Sequence, residues 1–153
     1  MTAEERKIVY DTRKQEFAGR AAELEALERA LGDDVPRIVL ETRAKETERN
    51  WREIAKHVRD GGIDGIINTL WAWVKEEGFE FTVERDENSA QMKVTRCPIA
   101  EMAKELGMEK WGYRCYCCDD PSIVRGFNPR MRFARTKTLM EGADSCDHRY
   151  ELD

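Results

Sequence analysis

The chain reads as an α+β domain: one antiparallel sheet of about four strands, built from two hairpins and covered by helices, with an N-terminal helical region in front of it. Two observations predict this class. Apolar residues recur at helical spacing as far as about Glu77, and from Phe79 onward the period changes to strict alternation. The alternating stretches then come in two pairs separated by short helical segments, so the order is three helices, a hairpin, two helices, a hairpin. A length of 153 residues suits a single domain, with 1–60 as the helical region and 62–153 as the α+β core.

The first helix is expected from Glu4 to Leu31, because Phe17, Ala21, Leu24, Leu27 and Leu31 fall on one stripe and Gly32 stops it. A second runs from about Arg37 to Arg59, where Gly61-Gly62 ends it. A third, Ile63 to Glu77, carries Ile66, Ile67, Leu70, Trp71 and Val74 and should be the most buried, with Gly78 as its stop. Phe79–Arg85 and Gln91–Arg96 read as two strands joined by Asp86-Glu-Asn-Ser89. Cys97-Pro98 opens a short helix, Ile99–Leu106, stopped by Gly107. A further helical region covers Glu109 to Arg125, with Pro121 forcing a new turn or a kink. Met131–Met140 and Cys146–Leu152 read as the second hairpin, with Gly142 in its turn.

Composition narrows the function classes. Charged residues make up 37% of the chain and no apolar run is long enough to span a bilayer, so no membrane partner is expected. The charged start, Met1-Thr-Ala-Glu-Glu-Arg-Lys, lacks the apolar stretch of a secretory signal, which predicts a cytoplasmic protein. Five cysteines, an odd number in that setting, are then expected to stay reduced rather than form a disulfide framework. A net charge of −5 argues against nucleic acid as a partner. The basic run Arg125, Arg130, Arg132, Arg135 and Lys137 is either a solvated surface or, through one member, a holder for a small anion. The long N-terminal helices exceed what four strands need for cover, and homo-oligomerisation through them is an expectation.

Chemistry can sit in three places. Cys97, between a strand end and Pro98, is the natural N-cap of the next helix, where unpaired amides and the helix dipole favour thiolate; the alternative is a small buried hydrophobe. In "RCYCCDDP", residues 114–121, Asp120 before Pro121 is the natural cap, Asp119 has no capping duty, and helical spacing puts Cys115 and Cys118 on one face. A carboxylate near a thiol serves as a base, whereas a cap plus two core thiols is the bland reading. In the last strand, alternation sends Cys146, His148 and Tyr150 to one face, making His148 an acid, a base, a ligand or a core residue. Cys115, Cys118, Cys146 and His148 together make a Cys3His set that zinc accepts, although no glycine forms a knuckle there. No phosphate-cradling glycine loop, nucleophile elbow or H-E-x-x-H is present.

On "TRCPIAEMAKELG", "CYCCDD" and "GFNPRMRFARTKTLMEGADSCDHRY", the second half, roughly residues 66 to 151, resembles the L-2-amino-thiazoline-4-carboxylic acid hydrolase family. The resemblance implies a hydrolase that opens a small cyclic amidine or related carbon–nitrogen bond, such as that of a thiazoline carboxylate. Cys97 matches the family's cysteine before the short helix, Cys117 or Cys118 with Asp120 its cysteine-and-aspartate element, and Cys146 its final-strand cysteine. His148 stands where family members often carry an aromatic residue. The expected catalytic set is Cys97, Cys118, Asp119, Asp120, Cys146 and His148, with Cys97 or Cys118 as nucleophile and Asp119 or Asp120 handling protons. Arg135 and Asn128 are the expected substrate-binding residues, and no cofactor is expected. The alternative is a module that binds a small ligand, or zinc through the Cys3His set, without turnover; the arrangement is also similar to the 4-vinyl reductase domain.

Overall fold

The structure, a computed structural model, describes residues 1–153. Helix α1 (Ala3–Leu31) starts in a capping box in which Thr2 and Glu5 each accept the other's backbone N–H, and it ends at Gly32 with φ +78°. Helix α2 (Asp34–Ala55) begins earlier than its apolar pattern suggests, because Pro36 sits in the first turn, where a missing N–H is harmless. A third helical segment follows in three parts: α3 (Ile63–Ile66), a π-helical turn (Ile67–Trp71) and α4 (Ala72–Glu76). The π turn accommodates one residue more than an α-helix would in the same span. Trp71 is buried, while Trp73 is exposed on its free side and leans on Trp51 of α2 with ring centroids 5.6 Å apart.

The α+β class holds. Strands β1 (Glu80–Arg85), β2 (Ser89–Arg96), β3 (Arg132–Ala134) and β4 (Cys146–Glu151) form one antiparallel sheet in the order β1-β2-β4-β3. β2 pairs with β4 so that Met92 faces His148 and Val94 faces Cys146. Ala90, Met92 and Val94 are therefore buried on the same face as Cys146, His148 and Tyr150.

Three expected elements differ from the sequence reading: α2 ends at Ala55 rather than Arg59, and two others are cut short or divided. Met131–Met140 is not a single strand: β3 has three residues, after which the Asp147 carboxylate accepts the backbone N–H groups of Thr136 and Lys137 at 2.9 and 2.8 Å. Side-chain oxygens replace the ladder carbonyls there, so the chain leaves the sheet into a 3-10 turn, Leu139–Glu141, and Gly142 closes that turn with φ +90°. The expected helix from Glu109 to Arg125 is likewise divided into α6 (Glu109–Cys115), a 3-10 turn (Cys117–Asp119) and α7 (Asp120–Phe127). Helix α5 (Pro98–Leu106) lies between the sheet and α6 in sequence and stops at Gly107 as expected.

Two hydrophobic clusters result. One lies under the sheet, where Trp51, Ile66, Trp71, Val124 and Phe127 meet the inner strand residues. The other joins α1 and α2 to α5 and α6 through Phe17, Ala21, Val35, Met102, Trp111 and Cys115. Phe17, Ala21 and Leu24 of the α1 stripe pack within the chain, whereas Leu27 and Leu31 at its end are exposed. α7 lies closely on α2 because position 126 is glycine: a Cβ there would stand 2.4 Å from the Glu48 carbonyl oxygen. No helix is long and apolar enough to cross a membrane.

Candidate functional site

Between the inner face of the sheet and the helices lies a cavity of about 220 Å³. β4 contributes Cys146, His148 and Tyr150 to its wall, and the π turn with α4 contributes Leu70, Trp71 and Val74. Cys97 and Ile99 come from the start of α5, and Tyr116, Cys117, Asp119 and Asp120 from the 3-10 turn and its flanks. Most of the lining is apolar. A concave, largely apolar site with a few convergent polar groups is the usual form of a small-molecule site.

Three thiols reach the cavity. Cys97 is the N-cap of α5, in extended conformation, and its Sγ accepts the Ala100 N–H at 3.4 Å. That hydrogen bond favours thiolate, but desolvation is the larger effect and pushes the thiol from 9.0 up to about 11. The sequence leaves activation by the cap and burial as the two readings of this position, and burial is the stronger effect. Cys146 accepts the Leu139 N–H at 3.2 Å, and Cys117 sits beside Asp120 and Arg135. Burial raises both thiols as well. All three are neutral at pH 7.

The polar wall is an ion-pair cluster centred on Asp120. Its Oδ2 accepts from Arg135 Nη1 and lies 3.2 Å from His148 Nε2. Since a carboxylate only accepts, His148 Nε2 is the donor of that bond, and the other ring nitrogen, Nδ1, is buried and has no partner. Arg135 is 8% exposed and also donates to the Cys117 carbonyl at 3.1 Å and the Tyr113 hydroxyl at 3.4 Å. Burial alone would weaken its charge, but Asp120 and the neighbouring Cys117 and Tyr113 outweigh that and hold the guanidinium protonated. Asp119 pairs with Arg43 of α2, which also donates to the Cys115 carbonyl. Burial pushes the Asp119 carboxyl up against the pull of Arg43.

The structure brings together Cys97, Asp119, Asp120, Cys146, His148 and Arg135 around this cavity and leaves Cys118 and Asn128 outside it. Cys118 yields its place to Cys117, because a 3-10 turn replaces the α-helical turn that would have aligned Cys115 with Cys118. Asn128 ties loops together: its amide donates to the Gly61 carbonyl at 2.8 Å, and its carbonyl accepts the Arg130 N–H at 3.0 Å. Asp120 is not the helix cap expected before Pro121; it is the first residue of α7, makes no capping hydrogen bond and turns to Arg135 and His148. The Cys115, Cys118, Cys146 and His148 set does not converge, since Cys115 belongs to the second cluster and Cys146 to the first, and no three His, Cys, Asp or Glu side chains are placed to hold an ion. Sequence reading missed Arg43, which lies in a uniformly charged stretch of α2 with nothing local to mark it, and the aromatic walls Trp71, Tyr116 and Tyr150. The expected basic run is mostly spent on ion pairs: Arg125 with Glu48, Arg132 with Glu151 and Asp153, and Lys137 with Asp144.

Fold and site define an α+β protein that encloses a small, mostly apolar cavity walled by three neutral thiols and an Asp-Arg-His cluster. The chain belongs to the L-2-amino-thiazoline-4-carboxylic acid hydrolase family, whose sequence model matches residues 8–150. That match takes in the N-terminal helices, beyond the 66–151 region on which the resemblance rests. No curated protein matches the chain. Among solved structures, it is similar to the phenol-responsive sensory domain of the transcription activator PoxR with phenol, at TM-score 0.56 and 13% identity, covering 89% of this chain and 74% of that one. It is also similar to trafficking protein particle complex subunit 3 from Naegleria fowleri covalently bound to palmitic acid, at TM-score 0.52 and 14% identity, covering 92% and 96%. At these identities the likeness concerns fold alone.

Proposed function

We propose that this protein is a hydrolase that opens a small cyclic amidine at the bond between the amidine carbon and a ring heteroatom, with Cys97 as nucleophile and the Asp120–His148 pair as proton carrier. The observation that carries this reading is the meeting of Cys97, Cys117 and Cys146 with Asp120, Arg135 and His148 on one cavity of about 220 Å³. Family membership supports it. The neutral Cys97 thiol sets the order of events: it must give up its proton as it attacks, so a base is required. Sγ adds to the amidine carbon while the proton passes to the Asp120–His148 pair. The tetrahedral carbon then expels the ring heteroatom, which in a 2-aminothiazoline is sulfur, and that atom takes the proton. Water adds to the resulting S-linked isothiourea, Sγ leaves with a proton, and the product is a carbamoyl compound. Water is the only co-reactant. Arg135, already committed to Asp120, acts as a positioning residue that fixes the carboxylate for His148.

The test is turnover of 2-aminothiazoline rings to carbamoyl products by the full chain. Cys97→Ser should lower turnover by about a thousandfold or more, and Cys118→Ser should leave it within about twofold. Full activity in Cys97→Ser would sink the cysteine mechanism. A second reading, ligand binding without turnover, is favoured by the apolar lining and by the neutral state of every thiol on the wall. Saturable binding of the ring with no product supports that one.

A further inference from the structure

We infer that Tyr150 is a further catalytic residue of this cavity: its hydroxyl donates a hydrogen bond to the amidine nitrogen that takes up the electron pair when Cys97 attacks. The inference rests on the hydrolase reading for the reaction, and on the hydrogen-bond polarity of the wall for the donor. Tyr150 stands on β4 two residues after His148, on the same inner face, and is 1% exposed. Its oxygen lies 3.2 Å from Trp71 Nε1. An indole nitrogen only donates, so the tyrosine oxygen accepts in that bond and its own O–H must find another partner. No protein acceptor receives it: Asp120 Oδ2 is taken up by Arg135 and His148, and His148 Nδ1 has no partner. Tyr150 and Trp71 both line the cavity, so the hydroxyl proton is left to what the cavity holds.

The hydroxyl is held still. Trp71 meets Tyr150 edge-on with ring centroids 6.4 Å apart and His148 at 5.1 Å, and Phe133 of β3 packs on the tyrosine ring at 5.5 Å. One indole therefore supports both the proton carrier and the hydroxyl. Burial keeps the phenol protonated, so it serves as a neutral donor. As the bond between Cys97 Sγ and the amidine carbon forms, the C=N pair moves onto nitrogen and the thiol proton goes to the Asp120–His148 pair. Whether the amidine enters neutral or protonated, this nitrogen holds a free pair once the carbon is tetrahedral. The Tyr150 O–H hydrogen-bonds to that pair without giving up its proton, and the pair returns to carbon as the ring heteroatom leaves. A donor fixed in advance where a lone pair develops is felt more in the transition state than in the bound substrate.

The test is turnover of 2-amino-2-thiazoline by the full chain, together with calorimetric binding of 2-thiazolidinone, whose carbonyl oxygen is an acceptor on the same ring carbon. Tyr150→Phe keeps the ring and removes the donor, but it strands the Trp71 N–H in the core. Trp71→Phe and the double variant Trp71→Phe/Tyr150→Phe avoid this, because a buried hydrogen bond whose two partners are both made apolar costs little to lose. Between those two proteins, loss of the hydroxyl should lower kcat by about a hundredfold, leave KM within about threefold and weaken 2-thiazolidinone by about tenfold. A tyrosine that merely supports Trp71 predicts no difference between them. A kcat ratio within about threefold therefore overturns the inference, as does a rise in KM alone; Tyr150→Phe against the wild type decides the matter if the Trp71 variants do not fold. Turnover by the wild type with equal kcat in the two variants leaves the hydrolase reading standing while the inference falls. If the wild type binds both rings and makes no carbamoyl product, the hydrolase reading falls and takes the catalytic role with it, and the 2-thiazolidinone comparison then upholds Tyr150 as a donor to ligand or, if the variants bind alike, overturns that too. A wild type that binds neither ring overturns both.

Discussion

The two cores of this molecule are made of similar side chains and each contains a buried cysteine, yet they differ in what surrounds the sulfur. In the cluster between α1, α2, α5 and α6, Cys115 is buried in one packed core with Phe17, Met102, Ala103 and Trp111, and Trp111 is fully buried. In the cluster under the sheet, the sulfur atoms of Cys146 and neighbouring Cys97 border an open space shared with Asp120 and His148. A cysteine in close packing is a small hydrophobe. A cysteine on a cavity wall is a reagent whose protonation state matters, and in both settings burial holds it neutral. What distinguishes the two regions is therefore access, not acidity.

The sharpest way to break this contrast is to open a cavity in the closed core. Trp111→Ala should cost about 3–5 kcal/mol of stability, read from chemical denaturation. Because Trp111 Nε1 makes no hydrogen bond, the loss is one of packing together with the Arg114 guanidinium that lies 4.8 Å over its ring. A cost near zero would mean that the helical core is no better filled than the cavity under the sheet.

Alkaline titration gives the next largest effect. The folded protein holds the Cys97 proton more tightly than the unfolded chain does, so this contribution to stability is complete below 9.0 and is lost as pH rises through about 11. The loss amounts to at most about 2–3 kcal/mol. Urea midpoints measured across that window should fall for the wild type and fall less for Cys97→Ala, with Cys117 and Cys146 sustaining the remaining slope. Identical slopes would show that Cys97 is not held neutral by the fold.

Cys115→Ser, the smallest of the three, places a hydroxyl in the closed core and should cost about 1–3 kcal/mol. Turnover per folded molecule should be unchanged. The same exchange at Cys97 has the opposite profile, so one substitution made at two cysteines separates the two regions.

Much of this fold was legible in the sequence because its causes are local. Helix stops at Gly32, Gly78 and Gly107, the first hairpin, and Cys97 as a cap before Pro98 follow from periodicity and backbone preference. The misreadings have distant causes. β3 is cut short by a carboxylate, Asp147, that arrives from the neighbouring strand. Asp120 looked like a cap from its own neighbourhood, but its partners are 15 and 28 residues away. The exchange of Cys118 for Cys117 on the wall depends on a break in helical register at Tyr116, whose backbone leaves the helical region with φ −129°. Local rules placed the cysteines near the site; only tertiary packing decided which sulfur faces inward.

The π turn carries a consequence for chain length. Leu70 and Trp71, two residues of the cavity wall, stand in or beside a segment that holds one residue more than its neighbours' hydrogen bonding requires. Removing a single residue there, Asn68 for instance, lets α3 and α4 join as an uninterrupted α-helix while both ends keep their orientation toward the core. Most deletions inside a buried helix rotate everything that follows. This one should be absorbed within the π turn, moving Leu70 and Trp71 on the cavity wall while α3 and α4 keep their places.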